Sequence, residues 1–266
     1  MSGPRGWALV TGASSGIGLE LARCAGADGY NLILSGRNIT ALEELAREIE
    51  GASGVSVRPC PTDLSQPGAA LDLWTRAQAL ADDPIHVLVN NAGLGRHGLF
   101  ATDPAGDALE DEVITVNITA ATQLMRLAIA EMRERGAGRI LNVASAAAFM
   151  PGPNMAVYHA SKAYLLSLSE AVSHEVRHTE ITVTALCPGA TRTAFFERAQ
   201  TGTTWLMKLA PMPSAQSVAR TGWRGCMKGR RIVVTGLDNK IFTFMPRLAP
   251  RALVTALTGW FLRRTS

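Results

Sequence analysis

Cysteine is scarce and scattered in this 266-residue chain. Cys24, Cys60, Cys187 and Cys226 form no C-x-x-C pair, which excludes a zinc knuckle and a disulfide framework. The five histidines show no metal-ligand spacing, so no metal is expected. Long apolar runs are missing too. The strongest one near the end covers 252–262 and contains two threonines and a glycine, well short of the roughly 20 residues a spanning helix needs. A polar, glycine-rich turn stands where the apolar core of a secretory signal would run. A reduced, cytoplasmic chain without a membrane span is the expectation. Charged residues are few at 18% against 47% hydrophobic, which excludes disorder as the overall state. Lysine is rare: of 26 basic residues only Lys162, Lys208, Lys228 and Lys240 are lysines. Acid nearly vanishes from the end. Residues 217–266 carry ten basic groups against one acid, Asp238, for a net +9, and leave −5 on the first 216.

Short apolar runs alternate with helical spacing along most of the chain. Residues 7–10, 31–34, 55–57, 86–89, 139–143, 181–186 and 232–234 read as strands. Residues 17–27, 41–50, 69–81, 107–135 and 155–178 read as helices, the second opened by a capping box at Thr40-Ala41-Leu42-Glu43. Such alternation predicts βαβ units, a Rossmann-like doubly wound parallel sheet of seven strands with helices on both faces, and a single α/β domain spanning 1–266. After Pro188 the alternation weakens. A long connection rich in Phe, Trp, Leu and Met, 194–214, predicts a lid, because long connections in compact domains are often functional.

Two places carry chemistry. Thr11-Gly12-Ala13-Ser14-Ser15-Gly16-Ile17-Gly18 follows the first strand and opens the first helix. Its glycines permit a tight turn and close approach of a pyrophosphate to the N–H groups of a helix N-terminus. At the end of the second strand, an acid would bind the ribose 2′-hydroxyl of NAD, whereas a basic residue would take the 2′-phosphate of NADP. Here stands Ser35-Gly36-Arg37-Asn38, with no acid until Glu43. The second place is Tyr158-His159-Ala160-Ser161-Lys162, where Tyr158 and Lys162 share a helix face. An ammonium beside a phenol favours the phenolate. Bringing a phenol from a pKa of about 10 to near 7 takes roughly 4 kcal/mol, which one close cation supplies at an effective dielectric of about 20. His97 and His159 lie near these motifs and read as supporting or surface residues.

Taken together, these motifs resemble the short-chain dehydrogenase/reductase family over nearly the whole chain. Thr11 to Gly18 resembles its T-G-x-x-x-G-x-G turn, and Asn90-Asn91-Ala92-Gly93 its N-N-A-G motif. Asn117, Ser145, Tyr158 and Lys162 stand in the order and spacing of its catalytic tetrad. Pro188-Gly189 with Thr193 resembles the motif after its sixth strand, and Asp63, in Thr62-Asp63-Leu64, the acid beside the adenine. The resemblance implies that Tyr158 is general acid in reduction and general base in oxidation. Lys162 would lower its pKa and hold the nicotinamide ribose, Ser145 would polarise the substrate oxygen, and Asn117 would hold a water relaying protons to Lys162. Gly12, Ser14, Ser15, Gly16, Ile17 and Gly18 would cradle the cofactor. Asp63 and Leu64 would flank its adenine, and Asn90, Ala92 and Gly93 would pack along its ribose and adenine. Pro188, Gly189, Thr191 and Thr193 would border its carboxamide. Thr191 replaces the family's frequent Val or Ile, but its backbone N–H would still serve. Arg37, with Ser14 and Ser15, would face the 2′-phosphate, so NADP(H) is implied over NAD(H). Ser15 replaces the second basic residue of many NADP-preferring members.

The implied activity is an NADP(H)-dependent interconversion of a carbonyl and an alcohol using the pro-S hydride. A 3-oxoacyl thioester reductase and a non-catalytic NADP-binding regulator are the alternatives. Leu94, Phe149, Met150 and the apolar side chains between 195 and 212 predict an apolar substrate. A homodimer or homotetramer is implied, through the helices at 107–135 and 155–178. The segment 247–264 predicts a basic apolar helix. It could pack on a neighbouring subunit, cover the pocket, meet an acidic carrier, or lie peripherally on an anionic membrane. No nucleic-acid recognition motif accompanies its charge.

Overall fold

The computed structural model describes residues 5–100, 106–210 and 212–265. Its centre is a seven-stranded sheet: β1 (Trp7–Thr11), β2 (Asn31–Gly36), β3 (Val57–Pro61), β4 (Ile85–Asn90), β5 (Ala137–Val143), β6 (Glu180–Cys187) and β7 (Ile232–Val234). All the pairings are parallel, in the order β3-β2-β1-β4-β5-β6-β7. The order reverses between β1 and β4. In open α/β sheets that reversal leaves a crevice at the carboxyl ends of the strands.

The helices follow the same logic. They are α1 (Gly16–Ala27), α2 (Ile39–Ser53), α3 (Ala69–Leu80), α4 (Gly106–Ile114), α5 (Ala121–Arg135), α6 (Ala156–Glu175), α7 (Phe195–Arg198), α8 (Trp205–Leu209), α9 (Ala215–Met227), α10 (Leu237–Phe244) and α11 (Arg251–Leu262). Alternate strand residues point to opposite faces, and two cores result. Val10, Leu34, Val89 and Leu141 pack under α1, α2 and α9. Leu9, Ile33, Leu88 and Ile140 pack under α3 and α5. Parallel strands covered on both sides read as continuous apolar runs, which is why the sequence showed them.

The departures from the sequence reading have physical causes. The third strand is 57–61 rather than 55–57 and contains Pro59 and Pro61. Proline removes a ladder donor, a loss tolerated at a sheet edge, and β3 is an edge strand. The second helix starts before Thr40. Asn38 is its N-cap, and the Asn38 side chain accepts the Ala41 N–H at 3.1 Å. The helical run at 107–135 is interrupted by a π turn, Thr115–Ala120, which joins α4 to α5. By length and composition the run 108–135 is also the one described helical stretch able to cross a membrane. Its Leu124, Met125, Ala128 and Met132 are core residues. Helix α9 has no counterpart in the sequence reading. The missing side chains of Gly222 and Gly225 leave room for Leu186 and Val233.

The N-cap assignment has a simple test. Asn38→Ala should lower the unfolding free energy by about 1 kcal/mol, while Thr40→Ala, at an exposed position, should leave it nearly unchanged in urea denaturation. The reverse ranking would restore Thr40 as the cap.

Candidate active site

Thr11, at the end of β1, joins the two halves of the crevice. Its hydroxyl donates to the Val89 carbonyl at 3.2 Å and accepts the N–H groups of Asn91 and Ala92, each at 3.0 Å. The Asn91 amide donates in return to the carbonyls of Thr11 and Gly12, at 2.9 and 3.1 Å. Gly12 sits at φ +64°, and a Cβ there would lie 2.9 Å from the Ala92 Cα, so only glycine fits. Ser15 precedes α1 in extended backbone and makes no capping bond with its side chain. The first N–H groups of α1 are therefore left to another acceptor, and an anion suits them.

A cavity of about 570 Å³ runs along the strand ends from this turn. Of the residues singled out in the sequence, Gly12, Ser14, Ser15, Gly16, Ile17, Arg37, Asp63, Leu64, Ala92, Gly93, Ser145, Tyr158, Lys162, Pro188, Gly189, Thr191 and Thr193 line it. Phe149 and Met150, expected against the substrate, do not line it, and three of the predicted catalytic and cofactor residues stand behind the wall instead. Gly18 packs against Gly12 and Asn91. The Asn90 side chain turns into the fold, where its amide donates to Ala121 O at 3.1 Å and Asn142 Oδ1 at 3.0 Å. The neighbouring Asn91, not Asn90, lines the cavity. Asn117 is buried on the π turn. Its Oδ1 accepts the Leu94 N–H at 2.8 Å, and its Nδ2 donates to Leu94 O and Ser161 Oγ, each at 2.9 Å. Its amide is thus committed to holding the loop after β4 against α6. A π turn at such a position fits the usual association of these bulges with functional sites.

Charge collects at the adenosine end. Burial opposes ionisation of Asp63, but hydrogen bonds from Ser65 and the charge of Arg37 outweigh it and hold the carboxylate below its ordinary pKa. From the long connection, Arg198 donates to Ser15 Oγ at 2.8 Å. The sequence reading gave that connection to the substrate alone. Arg198 and Ser15 lie 183 positions apart, so no local pattern could have paired them.

The reacting groups converge at the other end. Ser145 opens the short 3-10 turn Ala146–Phe149, and its Oγ accepts the Ala147 N–H at 3.1 Å. Tyr158, in the first turn of α6, lies near the Ser145 hydroxyl. One turn on, Lys162 is buried. Its Nζ donates to the Val143 carbonyl at 2.8 Å and lies 5.9 Å from the Tyr158 ring centre. The electrostatics differ from the sequence expectation. The Tyr158 ring keeps some exposure to the cavity, but the surrounding protein desolvates it. Its pKa is pushed up to about 12, and the Ser145 hydroxyl, which acts to lower it, only partly offsets this. Desolvation also lowers the Lys162 amine to about 8. In this pocket the cost of burying the phenolate dominates. His159 is a supporting residue, its Nδ1 2.9 Å from the Met150 carbonyl, and burial lowers its pKa.

Apolar side chains close the cavity. Phe195 lies 5.2 Å from Tyr158 between ring centres, and Leu206, Phe242, Phe261 and Leu262 complete the wall. The end of the chain therefore covers the pocket, one of the arrangements the sequence left open. It is tied down by backbone and guanidinium hydrogen bonds. Thr265 N–H donates to Thr203 O at 2.8 Å, and Arg264 to Gln200 O at 2.6 Å. His97 Nε2 lies 2.8 Å from Leu262 O.

Comparison with known proteins agrees with this geometry. The chain belongs to the short-chain dehydrogenase family, whose model matches residues 6–203. It is 36% identical to Nodulation protein G of Rhizobium sp. (strain N33) over 191 residues, 72% of this chain and 75% of that one. Among solved structures it resembles a short-chain dehydrogenase from Sphingobium yanoikuyae in complex with NADPH. The identity is 29% and the TM-score 0.81, covering 93% of this chain and 94% of that one. It also resembles the bulky-bulky ketone specific alcohol dehydrogenase from Comamonas testosteroni, at 28% identity and TM-score 0.76, covering 91% and 93%. The chain is an oxidoreductase of that family.

The buried amine gives a pH test. Lys162 ordinarily titrates at 10.5 but at about 8 in the fold. Between those values the unfolded chain holds the extra proton, so unfolding free energy rises with pH there. Without added nucleotide, the stability of the native protein relative to Lys162→Met should climb by about 3 kcal/mol from below pH 8 to 10.5. Denaturation at several pH values measures it, and a constant difference would mean that the amine is not desolvated.

Proposed function

We propose that this chain is an NADP(H)-dependent oxidoreductase that interconverts a bulky apolar ketone or aldehyde and its alcohol. One observation carries the reading. Ser145 and Tyr158 together form part of the wall of an apolar cavity, with the amine of Lys162 one turn away. The glycine cradle at Gly12, the uncapped N-terminus of α1 and the cavity along the strand ends fit a dinucleotide. A nicotinamide bound there supplies or takes the hydride.

The residues of the chain handle the oxygen. A phenol with its pKa pushed up is fully protonated at neutral pH, so Tyr158 enters reduction holding a proton. As the carbonyl oxygen gains charge, Ser145 Oγ–H and Tyr158 O–H both donate to it. The oxygen becomes more basic than a phenolate and takes the Tyr158 proton. The Lys162 ammonium then stabilises the phenolate until a proton returns. Oxidation runs the same steps backwards. Asn117 is a positioning residue that fixes α6 and the Leu94 loop. Phe195, Leu206 and Phe261 exclude water. They suit a bulky apolar substrate, and the ketone in the name of the Comamonas relative points the same way.

Arg37 and Arg198 support NADP(H) over NAD(H). Arg198 approaches Ser15 and brings a second cation where the turn itself has only a serine. The segment 194–214 then acts as a lid that reaches both ends of the cavity. Leu109, Ile114 and Tyr164, exposed on α4 and α6, suit a homo-oligomer.

Tyr158→Phe should bind NADPH normally yet lose on the order of 100-fold or more in ketone reduction. Undiminished turnover would remove Tyr158 as the proton donor. Arg37→Asp and Arg198→Ala should each weaken NADPH binding on the order of tenfold and leave NADH nearly untouched. Equal losses for both nucleotides would assign these arginines to the shared pyrophosphate instead.

A further inference from the structure

Helices α10 and α11 wall the cavity with one face and show the other to solvent. On α11 the inward positions are Val254, Thr258 and Leu262, which are buried, whereas Leu253, Leu257 and Trp260 are 51%, 51% and 43% exposed. On α10 the outward stripe is Leu237, Ile241 and Phe244, at 74%, 59% and 53%. It continues through Met245 and Leu248 in the turn between the helices, at 50% and 70%. Leu99 is 60% exposed and shares a groove with Ala256 and Trp260. Single exposed apolar residues are ordinary, but a set this dense on one segment marks an interaction surface.

The charges on this segment select the partner. Lys240, Arg247, Arg251 and Arg263 are exposed among the apolar side chains, and Asp238 is the only acid from 237 to 265. Among the described residues none of the four joins an ion pair with a side chain. A two-fold contact with a second copy would bring two patches of net positive charge together, with only Asp238 on each to offset them. An acidic protein would satisfy the cations but has no evident use for so many leucines. An anionic bilayer satisfies both: acyl chains take the apolar stripe and headgroups take the cations. Trp260 stacks on Trp205 with ring centres 5.6 Å apart, and a half-exposed tryptophan suits the headgroup level. With twelve residues in α11, the helix lies in the interface and does not cross it.

We propose that α10, the turn after it and α11 form a monotopic docking face for anionic membranes. The same helices supply Phe242, Phe261 and Leu262 to the cavity wall. A docked protein would therefore hold its apolar cavity against the bilayer, so that a lipid-soluble substrate reaches it from the acyl phase.

The test is co-sedimentation of the full chain with large vesicles of phosphatidylcholine alone or mixed with phosphatidylglycerol. Binding is expected to the anionic vesicles only, and to fall as salt rises. Near such a surface each cation contributes about a fivefold gain. Arg247→Glu with Arg251→Glu should thus lower partitioning by more than 20-fold, given loss of two such contributions and added repulsion. Ile241→Ser with Leu257→Ser should abolish it. Both variants should reduce a water-soluble ketone at the parent rate, which shows that they fold. Absence of binding to anionic vesicles at low salt would overturn the proposal, as would binding that neither variant weakens. Self-association abolished by the same variants, or capture of an acidic carrier protein without vesicle binding, would also overturn it, because the face would then belong to that partner.

Discussion

A parallel sheet that reverses its order between β1 and β4 must leave a gap at the carboxyl ends of its strands, and this site is built around that gap. What keeps it a shaped crevice is the hydroxyl of Thr11. It bonds to Val89 on one side and accepts the N–H groups of Asn91 and Ala92 on the other. With the Asn91 amide bonding back to the turn, the loops after β1 and β4 become one rigid edge. The glycine turn, the α1 N-terminus and Gly93 all take their positions from that edge. Gly93 in turn lies close to Lys162 and Asn117, so the constraint extends from the phosphate end to the reacting end.

The reacting end pays for its isolation from water. Burial drives the Tyr158 phenol up and the Lys162 amine down, each toward its neutral form. A pair so tuned holds its protons differently from a pair in water. At neutral pH the tyrosine holds its proton, and the lysine is close to its own titration. Apolar closure by Phe195, Leu206 and the end of the chain is the same fact seen from the substrate side. The walls that keep water from Tyr158 and Lys162 are apolar, and their outer surface is itself apolar and basic.

Much of this was legible without coordinates. The apolar runs of buried parallel strands, the glycines at 12, 16 and 18, and the pair Tyr158 and Lys162 one helical turn apart are local patterns. The places where reading failed are instructive. Asn90 and Asn91 are adjacent and chemically identical, and only the direction of the last strand residue decides which enters the core and which joins the crevice. Thr40 begins a good capping box, but Asn38 caps first. Helix α9 has a clear apolar face, but it follows the long connection, past the point where the alternation of strands and helices weakens.

By itself, the sequence determined the order of the seven strands, the glycine turn and the pairing of Tyr158 with Lys162 on one helix face, because each depends on spacing along the chain, while Ser145 was implied only by the family resemblance. Tertiary structure alone decided that Arg198 reaches Ser15, that α11 covers the cavity, and that Tyr158 is made a weaker acid rather than a stronger one. Those outcomes depend on which distant residues meet and on how much water they exclude. Neither is a function of distance along the chain.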